Sequence, residues 1–139
     1  MSELNSLKIA LSELGLNGTK ENLIKVLNEI CRILPPSDDI SISIGKKGAH
    51  EYVLDRKGLA IITTSLDEYL PYLSSSEKRI SMEQLPDDLA KKAITDLGSI
   101  ITQVRDVFRS QAKRNARYKA LADEVDNIVK DKGYGSKNN

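Results

Sequence analysis

The chain has 139 residues, no Trp, one Phe, one Cys and a formal net charge of +1. A single cysteine excludes an internal disulfide and removes thiolate-rich zinc sites, and no stretch approaches the ~20 consecutive apolar residues of a membrane span. Glu3, Lys8 and Glu13 interrupt the first sixteen positions, which argues against the basic start and unbroken apolar run of a signal peptide. The expectation is one soluble, cytoplasmic α+β domain over residues 1–132, with a core of Leu, Ile and Val.

Leu4, Leu7, Leu11 and Leu14 recur at three- and four-residue spacing and predict a first helix ending near Gly15. Asn17-Gly18 supplies a turn, and Thr19 is a good N-cap for a second helix. Its apolar face holds Leu23, Val26, Leu27, Ile30, Ile33 and Leu34, and Pro35-Pro36 stops it. Cys31 falls on or beside that face and reads as a small core hydrophobe. The period then changes to alternation, with Ile40, Ile42 and Ile44 separated by Ser41 and Ser43. Gly45-Lys46-Lys47-Gly48 is a turn, His50 to Asp55 a returning strand, Arg56-Lys57-Gly58 a second turn and Leu59 to Thr64 a third strand. A small antiparallel three-stranded meander is the expected sheet. Leu66 to Leu73, broken by Pro71, predicts a short helix or packed loop, and Ser74-Ser75-Ser76 an exposed connection.

Two helix starts then compete. Ser81 with Gln84 fits a capping box, whereas Pro86 followed by Asp87 and Asp88 fits a first turn with acids near the positive helix end, and the second is preferred. Leu89, Ala93, Leu97, Ile101, Val104 and Phe108 form one apolar stripe. In the same phase Gln111, Asn115 and Lys119 follow, before Ala122, Val125 and Val129 restore it. A long C-terminal helix over 86–132 is predicted, either leaving the core across the polar stretch or kinked near Gly98 or Gln111–Asn115. Residues 133–139 are expected to be a disordered tail.

Functional expectations rest on charge. Between positions 105 and 119 stand Arg105, Arg109, Lys113, Arg114, Arg117 and Lys119 against the single acid Asp106. Arg105, Arg109, Lys113 and Arg117 are four apart, so on a helix they form a slowly winding stripe suited to a phosphate backbone, with Tyr118 as a stacking surface. Gly45-Lys46-Lys47-Gly48 carries the letters of the G-x-x-G loop of RNA-binding KH modules. Those loops join two helices, and here the preceding residues alternate as a strand. Lys46 and Lys47 are therefore expected at a hairpin tip, as secondary phosphate contacts. Two helices, a basic-tipped hairpin and the run Tyr52 to Gly58 also resemble a winged helix-turn-helix module at fold level only. Such modules have three helices before the hairpin, and Glu21 falls at a position they usually keep apolar.

Acidic Asp123, Glu124, Asp126 and Asp131 follow the basic run and offer a competing use for its charge, antiparallel pairing with a second copy. Homodimerisation or docking of a protein partner is accordingly expected through Phe108, Ala122, Val125, Ile128 and Val129. For catalysis the chain offers only His50 and Cys31, with no sign of an activated nucleophile, and no spacing fits a metal site. The sequence thus predicts a non-enzymatic, cofactor-free protein. It would bind DNA or RNA, or act in regulation, through its basic helix; the alternative is an interaction module that docks its long helix on a partner.

Overall fold

The computed structural model describes residues 3–37, 39–66 and 73–134, and its first two elements follow the leucine spacing. Helix α1 (Asn5–Leu16) buries Leu7, Ala10, Leu11 and Leu14. Helix α2 (Lys20–Ile33) starts where Thr19 Oγ1 accepts the Asn22 backbone N–H at 3.1 Å. The Asn22 side-chain amide donates to the Asn17 carbonyl at 2.8 Å, tying the turn to the helix it precedes. Leu34, forced away from helical geometry by the following proline, is extended with ψ 147.

The chain then forms a four-stranded antiparallel sheet in the order β1 (Ile42–Lys47), β2 (His50–Asp55), β3 (Gly58–Leu66), β4 (Leu73–Ile80). The expected three-stranded meander is corrected by β4, which pairs Thr63 with Ser76 and Leu59 with Ile80. The serine run is thus part of an edge strand and not a connection. Most of the short helix or packed loop expected over Leu66 to Leu73 lies outside the described residues.

Ile42, Ile44, Tyr52, Leu54 and Leu59, with partly buried Ile61 and Ile80, form the sheet face that packs on the helices. A bulge between Ser43 and Gly45 offsets β1, and a Cβ at Gly45 would lie 3.4 Å from Leu89 Cδ2. The outer edge of β1 is closed by a side chain. Ser43 N–H donates to Gln103 Oε1 and Gln103 Nε2 donates to the Ser43 carbonyl, both at 2.9 Å, so one amide substitutes for a neighbouring strand.

The continuous helix expected over 86–132 is replaced by three: α3 (Asp87–Thr95), α4 (Leu97–Gln111) and α5 (Ala116–Lys132). The capping box at Ser81 and Gln84 does form, around a short 3₁₀ turn at Met82–Gln84, and Pro86 stands immediately before α3. The first break falls at Asp96, beside Gly98. The second occupies 112–115, where the apolar stripe fails, and there the chain reverses. Asn115 Oδ1 accepts the Arg117 backbone N–H at 2.9 Å and restarts the helix. Helix α5 returns antiparallel along α4, stacking Tyr118 on Phe108 with ring centroids 5.8 Å apart.

This reversal overturns the proposed interface. Phe108, Ala122, Val125, Ile128 and Val129 are all within the chain's own core, none more than 6% exposed. The apolar face of α5 finds its partner in α4, so no second chain is needed to cover it.

Candidate anion-binding surface

The α4–α5 hairpin divides the basic run into two environments. On the helix bodies each cation meets an acid brought in by the fold. Asp126 on α5 receives Arg105 at 3.4 Å and Arg109 at 3.5 Å from α4, and Lys130 at 3.5 Å from its own helix. Partial desolvation works against ionisation of Asp126, but Lys130, Arg109 and Arg105 together outweigh it and hold its carboxyl below the usual range. Arg105, with only 22% of its side chain exposed, is a structural cation; Asp106 adds contacts to Arg105 and Arg109 at 3.4 and 4.0 Å.

Arg117, in the first turn of α5, is occupied by a residue far away in sequence. Its Nε and Nη2 donate to the two carboxylate oxygens of Glu3 at 3.0 and 2.5 Å, a fork-to-fork pairing. The hydrogen bond from Arg117 lowers the Glu3 pKa, and Glu3 in turn raises that of Arg117. The guanidinium also lies 5.4 Å over the Tyr118 ring. Tyr118 itself is buried and stacked on Phe108, which removes it as a stacking surface for a base. Lys119 reaches Asp123 at 3.4 Å across one helical turn, both side chains being well exposed.

The turn itself differs. Lys113 and Arg114 are exposed, and among the described residues neither side chain has an ion-pair partner. Their backbone is held, because Arg114 N–H and Asn115 N–H both donate to the Gln111 carbonyl, at 2.9 and 3.2 Å. Two adjacent cations thus stand on a fixed turn, flanked by the half-exposed guanidiniums of Arg109 and Arg117.

Lys46 and Lys47 are not brought to this surface. The start of β1 lies along the end of α4, whereas the hairpin tip lies against the start of α3, where Lys47 contacts Asp88 at 3.3 Å. Lys46 is exposed and without an ion-pair partner among the described residues. The two lysines form a separate, smaller basic point.

The residues considered for catalysis are also apart. His50 Nδ1 lies 2.7 Å from Thr63 Oγ1 at one end of β2. Cys31 is buried nearer the other end, beside Asp55 and Arg79. Burial first, and the Asp55 charge second, push the Cys31 thiol up to about 12, so at neutral pH it carries its proton. Among the described residues no group of three or more His, Cys, Asp or Glu is gathered to hold a metal, and no helix is long and apolar enough to cross a membrane.

One polar cluster had no sequence signal. Asp55, 12% exposed at its side chain, receives Arg79 Nη1 at 2.8 Å together with a second bond from Arg79 Nη2, and accepts the Lys57 backbone N–H at 2.8 Å. Asp55 is paired with Gly58, and Arg79 with Ala60, so two small residues on β3 let the carboxylate and guanidinium meet across the intervening strand. Gly58 has φ +129, which an L side chain rarely adopts. Compared with known proteins, the chain matches no protein-family model, no curated protein and no solved structure.

Proposed function

We propose that the protein is a non-enzymatic nucleic-acid-binding or regulatory module that holds a phosphate backbone at the α4–α5 turn. The observation that carries this reading is the pair Lys113 and Arg114, exposed on a fixed turn with no acidic partner among the described residues. Arg109 and Arg117 flank the pair at 52% and 49% side-chain exposure, each oriented by an acid that a phosphate would join or displace. Recognition is electrostatic and sequence-independent: ammonium and guanidinium groups replace condensed counterions, and the arginine forks give phosphate oxygens paired donors.

The internal ion pairs limit its strength. Of six cations in the run, Arg105, Arg109, Arg117 and Lys119 are wholly or partly neutralised, so binding uses about two to four phosphates. Burial of the apolar face of α5 within the chain favours the phosphate reading over docking of that face on a protein partner. Fluorescence anisotropy with labelled DNA and RNA duplexes tests the reading. Binding at low salt is expected, weakening as salt rises with a logarithmic slope of about −2 to −4. No anisotropy change at low salt and micromolar protein would reject it.

A further inference from the structure

We propose that the outward face of α1 is a self-association surface, on which a second copy of this chain lays its own α1 in parallel. Among the described residues the exposed large hydrophobic side chains are Ile9 and Leu16, 61% and 90% exposed. Both stand on α1, and neither is a margin of its core face. At about 100° per residue, Leu7, Leu11 and Leu14 gather on the buried side of the helix, while Ile9 and Leu16 fall within roughly 20° of each other on the opposite side. Helix α1 therefore carries two apolar lines, and the chain's own core covers one.

The occupant follows from the residues around the second line. Ile9 and Leu16 are seven positions apart, the heptad spacing of a seam between two helices, with Asn5 and Ser12 at the alternate seam positions. No charge stands on that seam, so two copies meet there without opposing like charges. Lys8 and Glu13 bracket it, one position before Ile9 and four after. In a parallel helix pair, a residue just before a seam position reaches the residue five further on in the other helix. Lys8 therefore meets Glu13 of the second copy, and the twofold axis repeats the pair. An antiparallel pair would instead set Lys8 on Lys8 and Glu13 on Glu13. Both side chains are within reach of a second helix: their contacts inside the chain, to Glu124 and Lys25, are each 3.8 Å long, and Lys8 and Glu13 stay 45% and 49% exposed. On the side toward α2 a groove of about 320 Å³ leaves the flank of Ile9 open. Helix α1 has 12 residues, about 18 Å, so the seam buries less than the ~800 Å² per partner of a standard stable interface. Association is accordingly weak, with a dissociation constant of about 0.1 mM.

Sedimentation equilibrium of the full chain, without nucleic acid, tests the pairing. Between about 10 µM and 1 mM the average mass should rise from the chain's 15.4 kDa toward twice that value. Ile9→Ser/Leu16→Ser should leave the protein monomeric while urea unfolding stays cooperative, because neither side chain belongs to the core. Lys8→Glu alone, and Glu13→Lys alone, each turn two ion pairs into two like-charged contacts and should weaken association about threefold or more. The two changes move net charge in opposite directions, so a loss in both is not a net-charge effect. Lys8→Glu/Glu13→Lys recreates the pairs with their signs exchanged and should restore most of the affinity. A chain that stays monomeric up to about 1 mM, or association that survives Ile9→Ser/Leu16→Ser, would overturn the surface. Single charge changes without effect, or a double exchange that fails to restore association, would overturn the parallel pairing.

Discussion

Within the stretch 105–119 the cations of the helix bodies and those of the turn have opposite surroundings. Arg105 and Arg109 face Asp126 across the hairpin, and Arg117 is held by Glu3, whereas Lys113 and Arg114 meet no acid among the described residues. The difference follows from geometry. Along the helix bodies an acid of the facing helix, of the same helix one turn on, or of the chain's start lies within reach of each cation; Lys113 and Arg114, in the connecting turn, face water. Charge density along a sequence therefore overstates the charge available to a ligand, and the connection between helices is where it survives.

The largest way to break this contrast is to separate the two helices. Phe108 is fully buried and stacked on Tyr118 at the turn end of the hairpin. Phe108→Ala should cost about 3–5 kcal/mol in urea unfolding, through lost burial and the cavity left behind. If α5 were a free rod, the same change would cost little.

Next is the sheet's own arginine–carboxylate pair, whose buried setting sharpens the comparison with the exposed Glu3–Arg117 pair. Asp55→Ala should destabilise by about 1.5–3 kcal/mol, below the figure for a fully buried pair because the Arg79 side chain is 38% exposed. The pH dependence follows from the same contact. Arg79, assisted by backbone N–H groups, lowers the Asp55 pKa relative to the unfolded chain. Its contribution is complete above the unfolded carboxylate value of about 4 and is lost as pH falls through the folded value. Acid unfolding of the wild type should show this loss, and Asp55→Asn should flatten it.

A smaller effect is expected at the edge of β1. Gln103→Ala removes both hydrogen bonds to Ser43 and should cost about 1–2 kcal/mol, with faster amide exchange at Ser43. The smallest concerns the boundary between body and turn. Glu3→Gln takes away the carboxylate that occupies the Arg117 fork and should raise duplex affinity about two- to fivefold, with little change in stability because both side chains are about half exposed. Glu21→Gln, the same charge change on α2 at a residue in none of these contacts, is the control. An equal gain there would assign the effect to net charge alone.

Much of this fold was legible in the letters. Leu4, Leu7, Leu11 and Leu14, and the apolar face from Leu23 to Leu34, specify helices through local periodicity, and alternation specifies the first hairpin. Gly45, Lys46 and Lys47, expected in its turn, instead continue β1 by pairing with Tyr52, Glu51 and His50, and the turn falls at Gly48 and Ala49. The reversal at 112–115 was legible as a loss of aliphatic residues at Gln111 and Asn115, although the letters alone left open whether the helix projected or bent. Strand β4 was hidden because Ser74, Ser75 and Ser76 carry no alternating apolar signal; their strand state is imposed by pairing with β3. The ion pairs were hidden for a different reason. Glu3 and Arg117 are joined only by the tertiary fold, with 114 positions between them, and no local pattern marks Glu3 as the partner. The candidate surface therefore reads from the letters as six cations plus two at the hairpin tip, whereas among the described residues the fold leaves Lys113 and Arg114 uncompensated at the α4–α5 turn and Lys46 apart from them.

The central claim is that Lys113 and Arg114, and not the whole basic run, provide the phosphate-binding charge. Its most direct measurement is the salt dependence of duplex binding for the wild type, for Lys113→Gln/Arg114→Gln and for Arg105→Gln. The double variant should lose about two units of the logarithmic salt slope and most of the affinity, and Arg105→Gln should leave the slope nearly unchanged. A slope unaffected by the double variant, or reduced as much by Arg105→Gln, would contradict the account.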